Sequence, residues 1–130
     1  MFRKMILLVV VLASTCSFSH EGHDQVPGSI QANHGGVVKA GKEINLEYVI
    51  SGTEVKLFPV SHDGKDLTAN EVQLVVTTKL PKGKSEIIKT ESKVGAVIAK
   101  VNFKTAYRIE MSVAAETKGK KSSFKFQVEK

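Results

Sequence analysis

The stretch EINLEYVISGTEVKLFPV, from Glu43 to Val60, contains two short runs in which apolar and polar side chains alternate. In the first run the apolar positions are Ile44, Leu46, Tyr48 and Ile50, with Asn45 and Glu47 between them. A period of two residues is typical of a β-strand that is buried on one face. Ser51 and Gly52 predict a turn, and the second run predicts a strand that returns beside the first.

The same alternation recurs along the rest of the chain. Similar runs, separated by turn residues, cover residues 37–39, 71–79, 85–90, 96–104, 107–114 and 123–128. No stretch after residue 34 has the three-and-four spacing of an amphipathic helix. The sequence therefore predicts an all-β domain over residues 34–130, an antiparallel β-sandwich of immunoglobulin-like size with seven or eight strands. A small closed β-barrel is the alternative.

The composition limits the class of protein. The chain has 130 residues, of which 42% are apolar and 25% charged, and it contains one cysteine. These values fit one globular domain and exclude a multi-domain enzyme, a multispan membrane protein and a small disulfide-stapled domain. The net charge of +6 is carried by lysines throughout the chain, and only 6% of the residues are aromatic. Nucleic acid, which needs aromatic platforms among the cations, is therefore not an expected partner.

The first 19 residues have the order of a secretory signal peptide. Two basic residues, Arg3 and Lys4, precede nine apolar residues (5–13), and small residues follow. Nine residues span only about 13 Å as a helix, too short for a bilayer core of about 30 Å. Ser17 and Ser19 fit the small positions before a cleavage site, so cleavage before His20 is predicted. The chain is therefore expected to be exported to the periplasm.

Cys16 leaves a second interpretation of this leader open. Ala13-Ser14-Thr15-Cys16 resembles a bacterial lipoprotein signal, although Ala13 and Thr15 depart from its usual pattern. In that case a lipid on Cys16 would attach the protein to the inner or the outer membrane, and this would be its only contact with a membrane. With cleavage before His20, no cysteine remains, so disulfides and thiolate chemistry are excluded for the mature chain.

Residues 20–33, HEGHDQVPGSIQAN, predict a flexible arm that begins with several metal-binding side chains. His20, His23 and Asp24 are candidate ligands, and cleavage before His20 would add its α-amine. Nitrogen and oxygen donors without a thiolate suit Cu(II), Zn(II) or Ni(II). The alternative is a solvated arm whose histidines have no function.

Two more histidines, His34 and His62, are candidate ligands in the folded domain. His34 precedes Gly35-Gly36, which leave space around the ring, and His62 belongs to the turn His-Asp-Gly-Lys (62–65). The predicted strands place them about 10 to 16 Å apart, too far for one ion. Ten residues separate His23 from His34 and span up to about 33 Å. A site on the arm, completed by His34, is therefore preferred to a rigid site that contains both His34 and His62.

The segment from His34 to Lys65 also resembles a known group of domains. His-Gly-Gly-Val-Val, an alternating strand, a short turn, a third strand and His-Asp-Gly-Lys are similar to small periplasmic β domains associated with bacterial heavy-metal efflux. Some of these are fused to, or encoded with, periplasmic adaptor subunits of resistance-nodulation-division pumps. The resemblance implies a periplasmic metal-handling module in which His34 and His62 match the family's histidines. It also implies an efflux-pump adaptor subunit as a partner.

Together these observations predict an exported metal-binding module that serves as a buffer, a chaperone or an accessory of metal efflux. Its expected cofactor is a divalent Cu, Zn or Ni ion, with His20, His23, Asp24, His34 and His62 as the candidate ligands. The protein is not expected to be an enzyme, since no nucleophile motif or carboxylate pair is evident. The rival prediction is a structural or interaction module of the envelope without a role for metal.

Overall fold

The computed structural model describes residues 31–93 and 95–130. The predicted signal peptide (1–19), Cys16, the first part of the arm, and with it His20, His23 and Asp24, lie outside the described residues. Over the described ranges the chain forms nine strands: β1 (Val37–Ala40), β2 (Asn45–Ser51), β3 (Glu54–Val60), β4 (Gln73–Lys79), β5 (Ser85–Ile88), β6 (Thr90–Lys93), β7 (Ala96–Lys100), β8 (Arg108–Thr117) and β9 (Lys120–Glu129). Within these same ranges, no helix has the length and apolar composition to cross a bilayer.

The strands form two antiparallel sheets. One sheet has five strands in the order β1-β2-β3-β7-β6, and the other has four in the order β5-β4-β8-β9. The two sheets do not close into one barrel. The predicted all-β sandwich is therefore confirmed, and the closed-barrel alternative is wrong.

The strand count exceeds the prediction because one predicted strand is two. No glycine or proline interrupts residues 85–90, yet β5 pairs with β4 and β6 pairs with β7. The chain thus changes sheets between Ile88 and Thr90, with the single residue Lys89 between the two strands. The sequence carries no turn signal at this crossing, since Lys89 has no Gly, Pro, Asn or Asp beside it.

The core lies between the inner faces of the sheets. Its fully buried apolar side chains come from both, among them Leu46 and Leu57 from the five-stranded sheet and Met111 and Val128 from the other. Tyr48 stacks on Phe126 across the core, with ring centroids 3.8 Å apart and ring planes 3° apart. Burial raises the pKa of the Tyr48 phenol.

The five-stranded sheet is also covered on part of its outer face. The end of β3, from Leu57 to Val60, is buried at every position, which a strand covered on one face would not show. Phe58 pairs with Glu47 of β2 on the outer face, and both side chains are buried. The segment from Asn33 to Gly36, which precedes β1, makes the contacts that cover them.

Candidate functional site

Glu47 fixes the backbone of the segment 33–36. Its side chain is on the outer face, as the alternation predicts, but it is 0% exposed. Its Oε1 accepts a hydrogen bond from the backbone N–H of Asn33 at 2.9 Å. Its Oε2 accepts from the N–H of His34 at 2.8 Å and from that of Gly36 at 2.9 Å. A buried carboxylate is stable only with such partners, and three N–H donors satisfy it here.

The two glycines after His34 allow this close approach. Gly35 has a φ of 76°, in the left-handed region that glycine adopts without strain. At Gly36, a Cβ atom would lie 2.2 Å from the carbonyl oxygen of Tyr48, so a side chain there would push the segment away from β2. The sequence predicts that Gly35 and Gly36 leave space around the His34 ring. The structure instead shows that Gly36 lets the backbone approach β2 and that Gly35 takes a left-handed conformation.

The imidazole of His34 is held by two further residues. It stacks on Phe58, with ring centroids 3.8 Å apart and planes at 9°. Its Nε2 lies 3.2 Å from both carboxylate oxygens of Asp66. Because a carboxylate only accepts, Nε2 carries the hydrogen in this contact. The side chains of His34 and Asp66 are 28% and 45% exposed, so the pair is accessible to small solutes.

Asp66 is placed by the loop between β3 and β4. It forms an isolated antiparallel bridge with Val60, and the next residue, Leu67, donates its N–H to the carbonyl of Pro59 at 2.9 Å. The Asn33 side chain also donates to the carbonyl of Gly64 in this loop, at 3.2 Å. The loop and the N-terminal segment are therefore joined at two points, the His34–Asp66 contact and the Asn33–Gly64 contact.

His62 has a different environment. Its Nε2 lies 3.0 Å from the carbonyl oxygen of Gly41, in the turn between β1 and β2. In the same loop Ser61 donates a hydrogen bond to Asp63, and this bond lowers the pKa of the Asp63 carboxyl. His34 and His62 therefore have separate partners. Among residues 31–93 and 95–130, no three His, Cys, Asp or Glu side chains are grouped as a metal site would require.

Sequence reasoning did not identify two important residues of this site, Asp66 and Glu47. Asp66 is 32 residues from His34, and Glu47 is 13 residues from it, so no local pattern connects them. For Glu47 a signal existed, because a carboxylate flanked by Leu46 and Tyr48 in a strongly apolar strand can be buried by another segment. For Asp66, nothing in the loop sequence indicates a contact with His34.

The comparisons with known proteins do not assign a family. No family model matches the chain, and no curated protein matches it. A solved structure, the crystal structure of the Br derivative of BhCBM56, is similar with a TM-score of 0.48 and 18% identity, over 72% of this chain and 98% of that one. A likeness at this level carries no conclusion about function. The resemblance of residues 34–65 to metal-efflux domains stays a prediction.

Proposed function

We propose that the chain is an exported module that binds one divalent transition-metal ion, Cu(II), Zn(II) or Ni(II), as a buffer, a chaperone or an accessory of metal efflux. The observation that supports this proposal is the accessible contact between His34 and Asp66, with Nε2 at 3.2 Å from both carboxylate oxygens. Imidazole and carboxylate are common ligands of Zn(II), and imidazole suits Cu(II) and Ni(II) as well.

The spacing of the two side chains fits two ligands of one ion. Nitrogen and oxygen ligands each lie about 2.0 to 2.2 Å from Zn(II), which puts two tetrahedral ligands about 3.3 Å apart. An ion between Nε2 and Asp66 would replace the proton that they share, since a metal ligand must be deprotonated. Stacking on Phe58 limits the rotation of the ring, and the bond from the His34 N–H to Glu47 fixes the backbone that carries it. Both lower the entropy that binding costs.

The remaining ligands in this proposal come from the N-terminal segment. His20, His23 and Asp24 precede Asn33, and Asn33 is bonded to the domain beside His34. The ten residues between His23 and His34 span up to about 33 Å, enough to return to His34. Donors from this segment and water would complete the four ligands that Zn(II) usually takes. His62, with its contact to Gly41, is left out of this set.

The proposal is tested by titrating Cu(II), Zn(II) and Ni(II) separately into the exported protein and measuring affinity by calorimetry. His34→Gln and Asp66→Asn should each weaken binding at least about tenfold, a typical cost of removing one metal ligand or its close partner. His20→Ala combined with His23→Ala should abolish most of the binding. His62→Gln is the matched control and should leave the affinity unchanged.

Two outcomes would contradict this site. Saturable binding that survives His34→Gln but fails in His62→Gln would move it to the turn at residues 62–65. No saturable binding of any of the three ions would favour the rival prediction, an interaction module of the envelope without a metal. The intact mass of the exported protein would also report its true N-terminus and any lipid on Cys16.

A further inference from the structure

A cavity of about 300 Å³ opens next to the His34–Asp66 contact. It lies between the loop that follows β3 and the turn from β6 to β7. Most of its lining is apolar and comes from Pro59, Leu67, Val72, Ala96 and Val97. A volume of this order is at the lower end of the range for small-molecule sites, so it fits a small ligand and no macromolecule.

Two residues of opposite charge line this cavity. Asp66 belongs to the loop, and Lys93 is the last residue of β6, where it pairs with Ala96 of β7. Thr68 and Asn70 add neutral polar groups from the loop. An apolar surface with one cation, one anion and a few polar groups is the usual composition of a site that orients a small polar ligand.

The backbone around the cavity is fixed on its loop side. Asp66 bridges to Val60, and the N–H groups of Glu71 and Val72 both bond to the carbonyl of Thr68. The loop therefore has a defined turn under the cavity, and a ligand would not have to order it. Such preorganisation reduces the cost of binding.

We propose that this cavity binds a small zwitterion with an aliphatic side chain, of the class of the aliphatic α-amino acids. Its ammonium group would contact Asp66, its carboxylate would contact Lys93, and its side chain would contact the apolar lining. Asp66 already accepts from His34, and an ammonium group would add a second, charge-assisted contact to its exposed carboxylate. A neutral apolar molecule would make no such contact with Asp66 or Lys93, and an ion of one sign would make it with only one of them. A zwitterion is the small ligand that complements both charges and the apolar surface.

This inference does not rest on the proposed metal function, although Asp66 takes part in both. The test is therefore made on the full exported protein with a chelator present, so that failure of one proposal leaves the other intact. The probe is L-leucine, and binding is measured by calorimetry or by NMR shifts. A ligand of this size should reach a dissociation constant of about 1 mM or tighter.

The test is made specific by removing one charge at a time, either from the ligand or from the protein. Leucinamide lacks the carboxylate, and N-acetylleucine lacks the ammonium group, so each should bind at least about tenfold more weakly than L-leucine, a loss of one charge-assisted contact. Lys93→Gln should weaken L-leucine about tenfold but leave the weaker binding of leucinamide unchanged. Lys100→Gln, at an exposed position of β7 outside the cavity lining, is the matched control and should have no effect.

The proposal is supported only if all of these binding results are obtained together. Lys93 is exposed, so its replacement should not unfold the domain, and a loss of binding there cannot be attributed to misfolding. Asp66→Asn serves as the second charge deletion and should weaken L-leucine while sparing N-acetylleucine. The proposal is overturned if L-leucine does not bind, if the three compounds bind equally well, or if Lys93→Gln binds L-leucine as tightly as Lys100→Gln does.

Discussion

One carboxylate, that of Glu47, connects the N-terminal segment to the sheet. It is fully buried, and its two oxygens accept three backbone N–H bonds within residues 33–36. The ring of His34 reaches Phe58 and Asp66 only because the backbone beneath it is held in this way. The candidate site therefore depends on a residue that contacts only the backbone of the proposed ligand His34 and would not itself bind the ion.

Replacing Glu47 by glutamine should destabilise the domain although the shape is nearly unchanged. A glutamine side chain offers one acceptor oxygen, and its NH₂ group would face the N–H of Asn33 or those of His34 and Gly36. We expect Glu47→Gln to lower the free energy of unfolding by about 1 to 3 kcal/mol, measured by urea denaturation. Glu86→Gln, on the exposed strand β5, should change it by less than about 0.5 kcal/mol. Equal stability of the two variants would show that the three bonds contribute little.

At this scale the sequence indicates single residues but not their partners. His34 stays a predicted ligand, and the close approach of Gly36 to the Tyr48 carbonyl is not part of the prediction that the two glycines leave space around the ring. Asp66 was not identified, because its contact with His34 depends on how a loop crosses the end of β3. Long-range side-chain pairs of this kind are set by packing, and the alternation of a strand carries no information about them.

At the scale of elements, the β8–β9 hairpin shows both a correct prediction and its limit. The sequence predicts strands over residues 107–114 and 123–128 with turn residues between them, and the chain does turn between them, at Lys118-Gly119. Both strands run longer than predicted, since Thr117 pairs with Lys120 directly beside the turn. The pairs next to the two-residue loop, Glu116–Lys121 and Thr117–Lys120, are polar on both faces, so polarity alone could not define where the strands end.

This turn contains a residue that is poorly suited to it. Lys118 has a φ of 52° and Gly119 a φ of 77°, both positive, as a two-residue type I′ turn requires. A lysine in the left-handed region costs about 1 kcal/mol, whereas asparagine is tolerated there. Lys118→Asn should therefore raise the free energy of unfolding by about 0.5 to 1 kcal/mol, seen as a higher melting temperature.

The neighbouring residues provide the controls for this prediction. Lys121→Asn removes the same charge at a regular strand position, so it should bring no gain. Gly119→Ala should lower stability by about 1 kcal/mol, although an added Cβ would have open space, because the strain is in the backbone. If Lys118→Asn and Lys121→Asn change stability alike, the effect comes from charge and the turn is not strained.

For the whole molecule, the sandwich was predictable because the longer strands, such as β2, β3, β8 and β9, bury one face between the sheets. The alternation in the sequence predicts burial for Leu46, Leu57, Met111 and Val128, and all four are fully buried. What the sequence did not predict is the cover on the outer face of the five-stranded sheet, where Glu47 and Phe58 are buried by a segment outside any strand. The proposed metal site and the proposed zwitterion cavity both lie beside this cover.

The cover predicts where the folded unit begins. A chain that starts at Gln31 retains the contacts that residues 33–36 make with the rest of the described domain, and it serves as the reference. A chain that starts at Val37 loses three hydrogen bonds to Glu47 and exposes Phe58, although Glu47 then regains water. We expect its free energy of unfolding to be lower by about 2 to 4 kcal/mol in urea denaturation. Equal stability of the two chains would mean that residues 31–36 only rest on the sheet, and the candidate site would then lack the rigid base that positions His34.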